Sequence, residues 1–414
     1  MKRILTFIWC STLWIPMLFA QSPLSLEEAV DIALKNNFDI RISRNNSGIA
    51  ETNNTAGNAG MLPTFDLNGS VSTSSQYALN ARAGAELNWT LFDGGKMFVT
   101  RQKLREVSQK GEFQFRETVQ QTMYEVVAAY YDLIRLKQQL RSVQQTIRYN
   151  QERVTIAQTG FNAGTLSKLD LLQTKIDLNE VLESAIDREF AIREGKRTLN
   201  ILLARDTESP LEVIDSIPNG YLPDKTVLFS KLQTSNASLL AMSKQLEINK
   251  LTYKETKSNY LPRLDLSAGY YLSQSRTSNS STISQNMGPE VSGNLVVPIY
   301  RAGENKRLQK VAELNLQSAQ EDLEKTRFEL NLALQNALND FDNQKMLLKI
   351  EEENNLLAKE YLEISIQRLR LGETNSLEVH LAQEKFISSN TRLINYRYTL
   401  KLTETKLRQL VASL

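Results

Sequence analysis

The side chains that most often carry catalysis or bind metal ions are nearly absent from this chain. Its 414 residues include one cysteine, Cys10, and one histidine, His380. Thiol nucleophiles, histidine-centred triads and zinc clusters all need more of these residues than the sequence contains. We therefore predict that the protein is not an enzyme and that it holds no metal ion or other cofactor.

The formal charge is almost balanced, with 49 Lys and Arg residues against 47 Asp and Glu residues. Proteins that bind nucleic acids usually carry a strong excess of basic residues on one surface. The composition therefore predicts no nucleic-acid partner.

Two acidic residues recur at the same distance from a glycine. Asp170 lies six residues after Gly164, and Glu378 lies six residues after Gly372. Each glycine follows a long stretch without proline, so both acids fall where one helix is expected to turn back into another. On spacing alone, an ordinary helical turn ended by glycine is the alternative to a functional site.

The elements that carry these residues occur twice, because the chain is a tandem duplication. Residues 62–67 (LPTFDL) match residues 261–266 (LPRLDL) at an offset of 199. Further on, residues 91–95 (LFDGG) match residues 299–303 (IYRAG) at an offset of 208. The second copy is nine residues longer between these points, and the Ser-, Thr- and Asn-rich segment 273–287 is the predicted insertion at a loop tip.

The first 20 residues predict a secretory signal peptide. Lys2 and Arg3 precede the apolar run 4–19, and Ala20 is a small residue suited to cleavage. A membrane anchor is the weaker alternative, because the run is short for a span and Pro16 interrupts it. No later stretch of the sequence approaches the roughly 20 apolar residues of a membrane helix, so insertion into a membrane would require β-strands.

Four segments of about 12 residues alternate apolar with polar side chains, a period of two that predicts β-strands. They form one hairpin at about 62–93 and a second at about 261–300. Strands of this length exceed those usual in soluble sheets and suffice for the about 9 to 11 residues of a tilted membrane strand. The alternation alone leaves a soluble sheet equally open. The lack of any other β domain and the charged residues on the polar faces favour membrane strands.

Aromatic residues lie at one end of these strands. They are Phe65, Trp89, Phe92, Tyr260 and Tyr300. Their position predicts an aromatic belt at a membrane–water interface. The alternative is packing at the junctions between helices and strands.

Residues 95–164 and 303–372 contain no proline, which predicts two helices of about 100 Å each. Their apolar residues recur in a narrow heptad stripe, as at Val119, Val126 and Leu133. We therefore expect a thin wall of helices packed side by side, with no core until neighbouring copies complete it. Gly111 predicts a break in the first long helix.

Shorter helices complete each repeat. One returns after each glycine turn and ends near residue 203 or at residue 414, and a helix of about 35 residues precedes each hairpin. Pro63 and Pro262 are expected to end the preceding helices. The predicted domains are the signal peptide at 1–20, repeat 1 at 21–226 with its helical hairpin at about 95–203 and a Pro-rich link at 204–226, and repeat 2 at 227–414 with its helical hairpin at about 303–414.

This order of elements resembles the TolC-type outer-membrane efflux channel family, over essentially the whole mature chain. Residues 24–29 (LSLEEA), the 91–95 exit from the hairpin and the turns at Gly164 and Gly372 carry the resemblance. It implies a mostly α fold with a pair of membrane β-hairpins. The protomer would be one third of a trimer whose twelve strands form a single β-barrel, joined to a long periplasmic α-helical barrel.

The resemblance also implies a function and partners. The protein would be an exit duct that passively conducts substrates from a periplasmic adaptor protein and an inner-membrane transporter across the outer membrane. Its contacts would be two further copies of the chain, the adaptor, the transporter and outer-membrane lipid. The alternative is a soluble periplasmic coiled-coil scaffold or adaptor, although such proteins lack duplicated hairpins of long alternating strands.

By the same resemblance, certain residues acquire expected roles. The adaptor would dock at the helical turns, at Phe161, Gly164, Arg368 and Gly372. Asp170 and Glu378 would line the narrow periplasmic mouth. One turn further, where the best-known members of the family have a second acid, this chain departs from them with Leu381, and we expect this residue to form a hydrophobic constriction instead. His380 lies beside this mouth in the sequence. A lone histidine on a helix is more often a surface or packing residue than a sensor, and its closeness to Glu378 offers a pH-dependent role as the alternative.

We predict that cell fractionation will recover the protein with the outer membrane and that detergent will be needed to extract it. The reason is the expected insertion of four strands of each chain into lipid. Recovery from the periplasm without detergent would contradict the channel and support the soluble scaffold.

Overall fold

The computed structural model describes residues 23–277 and 282–414, so the predicted signal peptide and the centre of the predicted insertion lie outside the described residues. The described chain forms eight helices and four strands. The helices are α1 (Leu26–Asn36), α2 (Phe38–Thr52), α3 (Lys96–Asn162), α4 (Lys168–Leu202), α5 (Lys225–Ser235), α6 (Ala237–Ser258), α7 (Glu304–Arg370) and α8 (Ser376–Leu410). The strands are β1 (Thr64–Ser72), β2 (Tyr77–Asp93), β3 (Arg263–Thr277) and β4 (Ile283–Val296).

The two long helices, α3 and α7, contain 67 residues each, which corresponds to about 100 Å. Each begins directly after a glycine in the left-handed conformation, Gly95 with φ 80° and Gly303 with φ 78°. The predicted break at Gly111 is wrong, because α3 continues through it. A Cβ atom at this position would lie 3.2 Å from the Cβ of Ala50, so the glycine allows α2 to pack closely against α3.

The prediction of a single helix before each hairpin is also wrong. Each of these segments is divided by an asparagine, Asn37 between α1 and α2 and Asn236 between α5 and α6. The Asn236 Oδ1 accepts a hydrogen bond from the Leu239 amide at 3.0 Å, and its Nδ2 donates to the carbonyl of Leu410 at 2.9 Å. Asn37 makes the equivalent bonds in the first repeat, from the Ile40 amide and to the Leu202 carbonyl. One side chain thus caps a helix start and satisfies a carbonyl at the end of the returning helix.

The four strands form one antiparallel sheet in the order β1-β2-β3-β4. The central pairing of β2 with β3 joins the two repeats, from Tyr77 opposite Thr277 to Asp93 opposite Arg263. β1 and β4 are the outer strands, and neither pairs with a second strand within the described chain. The strands contain 9, 17, 15 and 14 residues.

The helices do contain a core within one chain, contrary to the expectation of a wall without one. A first cluster joins α1, α3, α4 and the link, where Leu211 and Val213 are buried against Tyr130 and Leu199. A second joins α5, α7 and α8. A third lies near the second glycine turn and includes Leu362, Val379 and Phe386. Each repeat therefore buries part of its own apolar surface.

We predict that Asn236→Ala will lower the free energy of unfolding by about 2 kcal/mol, because it removes a cap and leaves a buried carbonyl without its donor. The expected observation is a lower thermal midpoint for the protein purified in detergent.

Asn45→Ala is the matched control, because Asn45 is exposed inside α2 and alanine favours a helix interior. An equal loss of stability in both variants would contradict the capping role of Asn236.

Candidate functional site

The two turns predicted from glycine are built alike. Gly164 and Gly372 have φ of 76° and 75°, in the left-handed region that side chains rarely adopt. At the second turn, the Gly372 amide donates to the Leu369 carbonyl at 3.1 Å and the Glu373 amide donates to the Arg368 carbonyl at 2.9 Å. This pair of bonds is a Schellman motif, and the first turn has the corresponding pair. The motif reverses the chain within a few residues at the end of each long helix.

The acid after each glycine has a local structural explanation. Ser167 is the N-cap of α4, and Asp170 completes a capping box with it. The Asp170 Oδ2 accepts hydrogen bonds from the Ser167 amide at 3.1 Å and from the Ser167 hydroxyl at 2.7 Å. In the second repeat, the side chain of Asn375 accepts a bond from the Glu378 amide at 3.0 Å. The recurrent spacing therefore places each acid in the first turn of the returning helix, where a negative charge is stabilised.

The carboxylate of Glu378 is paired across the turn. The Arg368 Nη1 donates to the Glu378 Oε1 at 2.7 Å, and the Thr374 hydroxyl donates to the Glu378 Oε2. The Arg368 Nη2 also contacts the Glu373 carbonyl at 3.3 Å. This ion pair connects the end of α7 to the start of α8, and it balances the charge of Glu378 within the turn.

Apolar side chains remain exposed beside these acids. Leu381 is 47% exposed, and several other apolar residues near the starts of α4 and α8 are exposed as well. They include Leu169, Leu172, Ile176 and Leu377. Phe161 and Leu371 are also exposed at the turns themselves. Apolar side chains are therefore part of the surface that one chain leaves uncovered here, alongside exposed polar residues such as Lys168 and Asn375.

A buried polar cluster lies about 14 Å along α4 from its first residue, Lys168, at about 1.5 Å per residue. Arg153 of α3 and Asp177 of α4 are 2% and 4% exposed, and the Arg153 Nη1 lies 3.0 Å from the Asp177 Oδ2. Gln173 also donates to Asp177, at 2.8 Å. Burial lowers the pKa of Arg153, and the attraction of Asp177 opposes that shift. Loss of one partner of such a desolvated pair strongly destabilises the fold, because the other charge stays buried and unpaired.

The same cluster reaches α8. Arg153 contacts the Gln383 Oε1 at 3.3 Å and the Ser376 hydroxyl at 3.1 Å. The partner of His380 is Asp177 and not the nearby Glu378, because the His380 Nδ1 lies 3.1 Å from the Asp177 Oδ2. Its Nε2 lies 3.6 Å from the Glu384 Oε1, one turn further along α8. The single histidine therefore faces α4 instead of the acid two residues before it.

Arg153, Asp177 and Gln383 were missed by the sequence reasoning. They come from three helices and have no shared spacing. The available indication was only that charged residues interrupt the apolar stripes of α3 and α4. Such interruptions are common on solvated helix faces, so they identify a buried pair only after the helices are packed.

The five predicted belt residues lie at the end of the sheet nearest the helices. They are Phe65, Trp89, Phe92, Tyr260 and Tyr300, and all five are exposed. The Trp89 Nε1 donates to the Met61 carbonyl at 3.0 Å, which fixes the indole at the junction between the first helices and β1.

Within residues 23–277 and 282–414, no helix is both long enough and apolar enough to cross a membrane. The same residues contain no group of three or more His, Cys, Asp and Glu side chains placed to hold a metal ion.

The sequence model of the family described as "Outer membrane efflux protein" matches residues 29–204 and again residues 228–413. The chain belongs to this family. The two matched ranges correspond to the two repeats, and together they include every described helix and strand except the first three residues of α1 and the first three of α5.

Similarity to individual proteins supports the same family assignment. The chain is 23% identical to the outer membrane protein TolC of Vibrio cholerae over 315 residues, which cover 74% of this chain and 71% of that protein. It is 20% identical to the outer membrane efflux protein BepC of Brucella suis over 397 residues, 91% of this chain and 83% of that one. The CmeC outer membrane channel of Campylobacter jejuni has the same fold, with a TM-score of 0.79 at 17% identity over 94% of this chain and 85% of that chain.

Family membership decides between the two functions that the sequence left open. The chain is an outer-membrane channel that serves as an exit duct, and it is not a soluble adaptor or scaffold. The family transports solutes and does not catalyse reactions. The predicted fold class, mostly helical with a small antiparallel sheet and tandem repeats, is confirmed.

We predict opposite effects of alanine at two glycines. Gly372→Ala should lower the free energy of unfolding by about 1 to 2 kcal/mol, because its φ of 75° is left-handed. Gly48→Ala should raise it by about 0.5 to 1 kcal/mol, because Gly48 lies inside α2 with open space around its Cα.

Thermal unfolding of the two variants in detergent measures the difference. A midpoint that rises in both would show that the second turn does not depend on a left-handed glycine.

Proposed function

We propose that three copies of this chain assemble into one continuous duct, with twelve strands closed into a barrel in the outer membrane and the helices extending into the periplasm. The open edges of β1 and β4 carry this proposal. In lipid, each unpaired backbone group costs several kcal/mol, so a four-stranded sheet cannot remain open there. Pairing β1 of one copy with β4 of the next satisfies both edges and closes the barrel.

The face of the sheet that meets lipid is the apolar one. Leu67 and Val71 of β1 and Val291 and Leu295 of β4 are exposed within one chain, and they alternate with polar residues that face the other side. The other face carries Asp66, Arg82, Glu86 and Glu290, which suit a water-filled lumen. The five aromatic residues then form a belt where the barrel meets the periplasm.

The helical part has matching uncovered surfaces. Exposed apolar residues on α7 recur at heptad spacing, at Ile350, Leu357 and Ile364, with Met346 one turn before them and the C-cap residue Leu371 seven residues after Ile364. A second exposed stripe follows α4, at Leu169, Leu172, Ile176, Ile186 and Phe190. Stripes of this width are the packing surfaces of coiled coils. In the trimer, helices of neighbouring copies cover them and complete the wall.

We infer that the glycine turns form the periplasmic tips, where a periplasmic adaptor docks on Phe161, Gly164, Arg368 and Gly372. The turns combine exposed apolar side chains with free ends of helices, which are features that a helical partner can recognise. An inner-membrane transporter linked through the adaptor supplies the energy, and the duct conducts passively. Export by the signal peptide at 1–20 delivers the chain to this location.

The mouth beside the tips is the proposed constriction, formed by Asp170, Glu378 and Leu381 of each copy. Because Arg368 and Ser167 engage the two acids, the uncommitted side chain among the three is Leu381. An apolar ring narrows a pore by excluding water. Glu378 contributes a charge that disfavours anions only to the extent that Arg368 leaves it unbalanced.

We predict that Leu381→Ala will raise the conductance of the reconstituted channel on the order of twofold, because it widens and wets the apolar ring. Glu378→Gln should shift the ion preference toward anions, because it removes a carboxylate and leaves Arg368 unpaired. Single-channel recording in planar lipid bilayers measures both quantities.

Leu222→Ala is the control, because Leu222 is an exposed leucine in the link between the repeats. If conductance and ion preference are unchanged in both mouth variants, the proposed constriction is wrong.

A further inference from the structure

The only histidine of the sequence lies between two carboxylates on different helices, and one of those carboxylates is buried. We propose that His380 and Asp177 form a pH-dependent link between α8 and α4, which holds the two helical hairpins of a protomer together more tightly at acidic pH and so limits how far the periplasmic mouth widens. This inference rests on the proposed trimeric duct.

The contact has a defined proton arrangement. A carboxylate only accepts hydrogen bonds, so the His380 Nδ1 carries the proton that it shares with the Asp177 Oδ2 at 3.1 Å. The second ring nitrogen is then the one that gains a proton at acidic pH. This Nε2 lies 3.6 Å from the Glu384 Oε1. Protonation thus adds a positive charge between two acids and makes both ring nitrogens donors.

The charged groups around the ring favour that added positive charge. From α3, Arg153 approaches the same Asp177 oxygen at 3.0 Å. With neutral His380, the cluster has one cation, Arg153, against the two carboxylates of Asp177 and Glu384. Protonated His380 supplies the second cation and balances them. The charged residues of α7 near the turn pair elsewhere, Arg368 with Glu378 and Arg370 with Glu152.

Because Asp177 is buried, a single proton on His380 changes the strength of their contact. The Asp177 side chain is 4% exposed, so water screens its interaction with the ring far less than it would at a surface. The His380 side chain is 32% exposed, which allows exchange of protons with the lumen or periplasm. Histidine is the side chain whose ordinary titration falls between pH 5 and 8.

The cluster connects the two helical hairpins of the protomer close to the proposed mouth. α3 and α4 form one hairpin and α7 and α8 form the other, and Asp177 contacts a residue of each. In the proposed duct, the mouth widens by movement of the start of α8 away from the α3–α4 hairpin. That movement separates His380 from Asp177, and it costs more free energy when the ring is charged. His380 is therefore a positioning residue of the mouth.

The test records single channels of the full mature protein in planar bilayers of a neutral phospholipid at constant ionic strength, at about pH 5.5 and about pH 8. We expect the open fraction of the unmodified channel to fall about threefold or more at the lower pH, the range in which histidine titrates. His380→Gln keeps a hydrogen-bonding side chain that cannot be charged. It should hold the open fraction at the alkaline value across this range, and Glu384→Gln should reduce the response.

Glu183→Gln is the matched control, because Glu183 is an exposed acid on α4 outside the cluster, and it should leave the pH response unchanged. Thermal midpoints equal to that of the unmodified protein establish that the variants fold. An unaltered pH response in His380→Gln overturns this inference while the duct stands. If the unmodified protein forms no channels at either pH, the proposed function fails and the inference fails with it.

Discussion

An open β-sheet edge in lipid is the constraint on which the rest of this structure depends. The backbone groups along β1 and β4 have no partner strand within the described chain, and lipid offers none. The duplication places one hairpin in each repeat, and pairing of β2 with β3 joins them into one four-stranded sheet with two free edges. A chain of this design is completed only by other copies, and the exposed apolar stripes of α4 and α7 impose the same requirement on the helices.

Much of the fold followed from local physical chemistry. Alternation with period two identified the four strands, and the absence of proline identified α3 and α7, because those patterns act within single elements. The division at Asn37 and Asn236 was not predicted, since an asparagine inside a helical segment becomes a cap only when its amide also finds the end of a distant helix. The buried clusters were missed for a related reason: Leu211 and Val213 belong to a Pro-rich link, and their burial depends on where that link crosses α1 and α3.

The candidate site, like the fold, could be predicted from the sequence only in part. Gly164 and Gly372 were found from sequence because a left-handed helix end requires glycine whatever surrounds it. The acids at 170 and 378 were found as a spacing, but the structure gives that spacing a capping origin and pairs Glu378 with Arg368. The partner of His380 could not be predicted, because Asp177 lies about 200 residues away in the chain and meets it only through the packing of α4 near α8. Long-range polar contacts of this kind have no periodicity to reveal them.

Amide hydrogen exchange in the protein purified in detergent tests the central claim most directly. If β1 and β4 pair with each other between copies, the amides along their outer edges will be protected to the same degree as those between β2 and β3. If the outer-edge amides exchange rapidly while those between β2 and β3 stay protected, the sheet remains open and the account of a closed duct is contradicted.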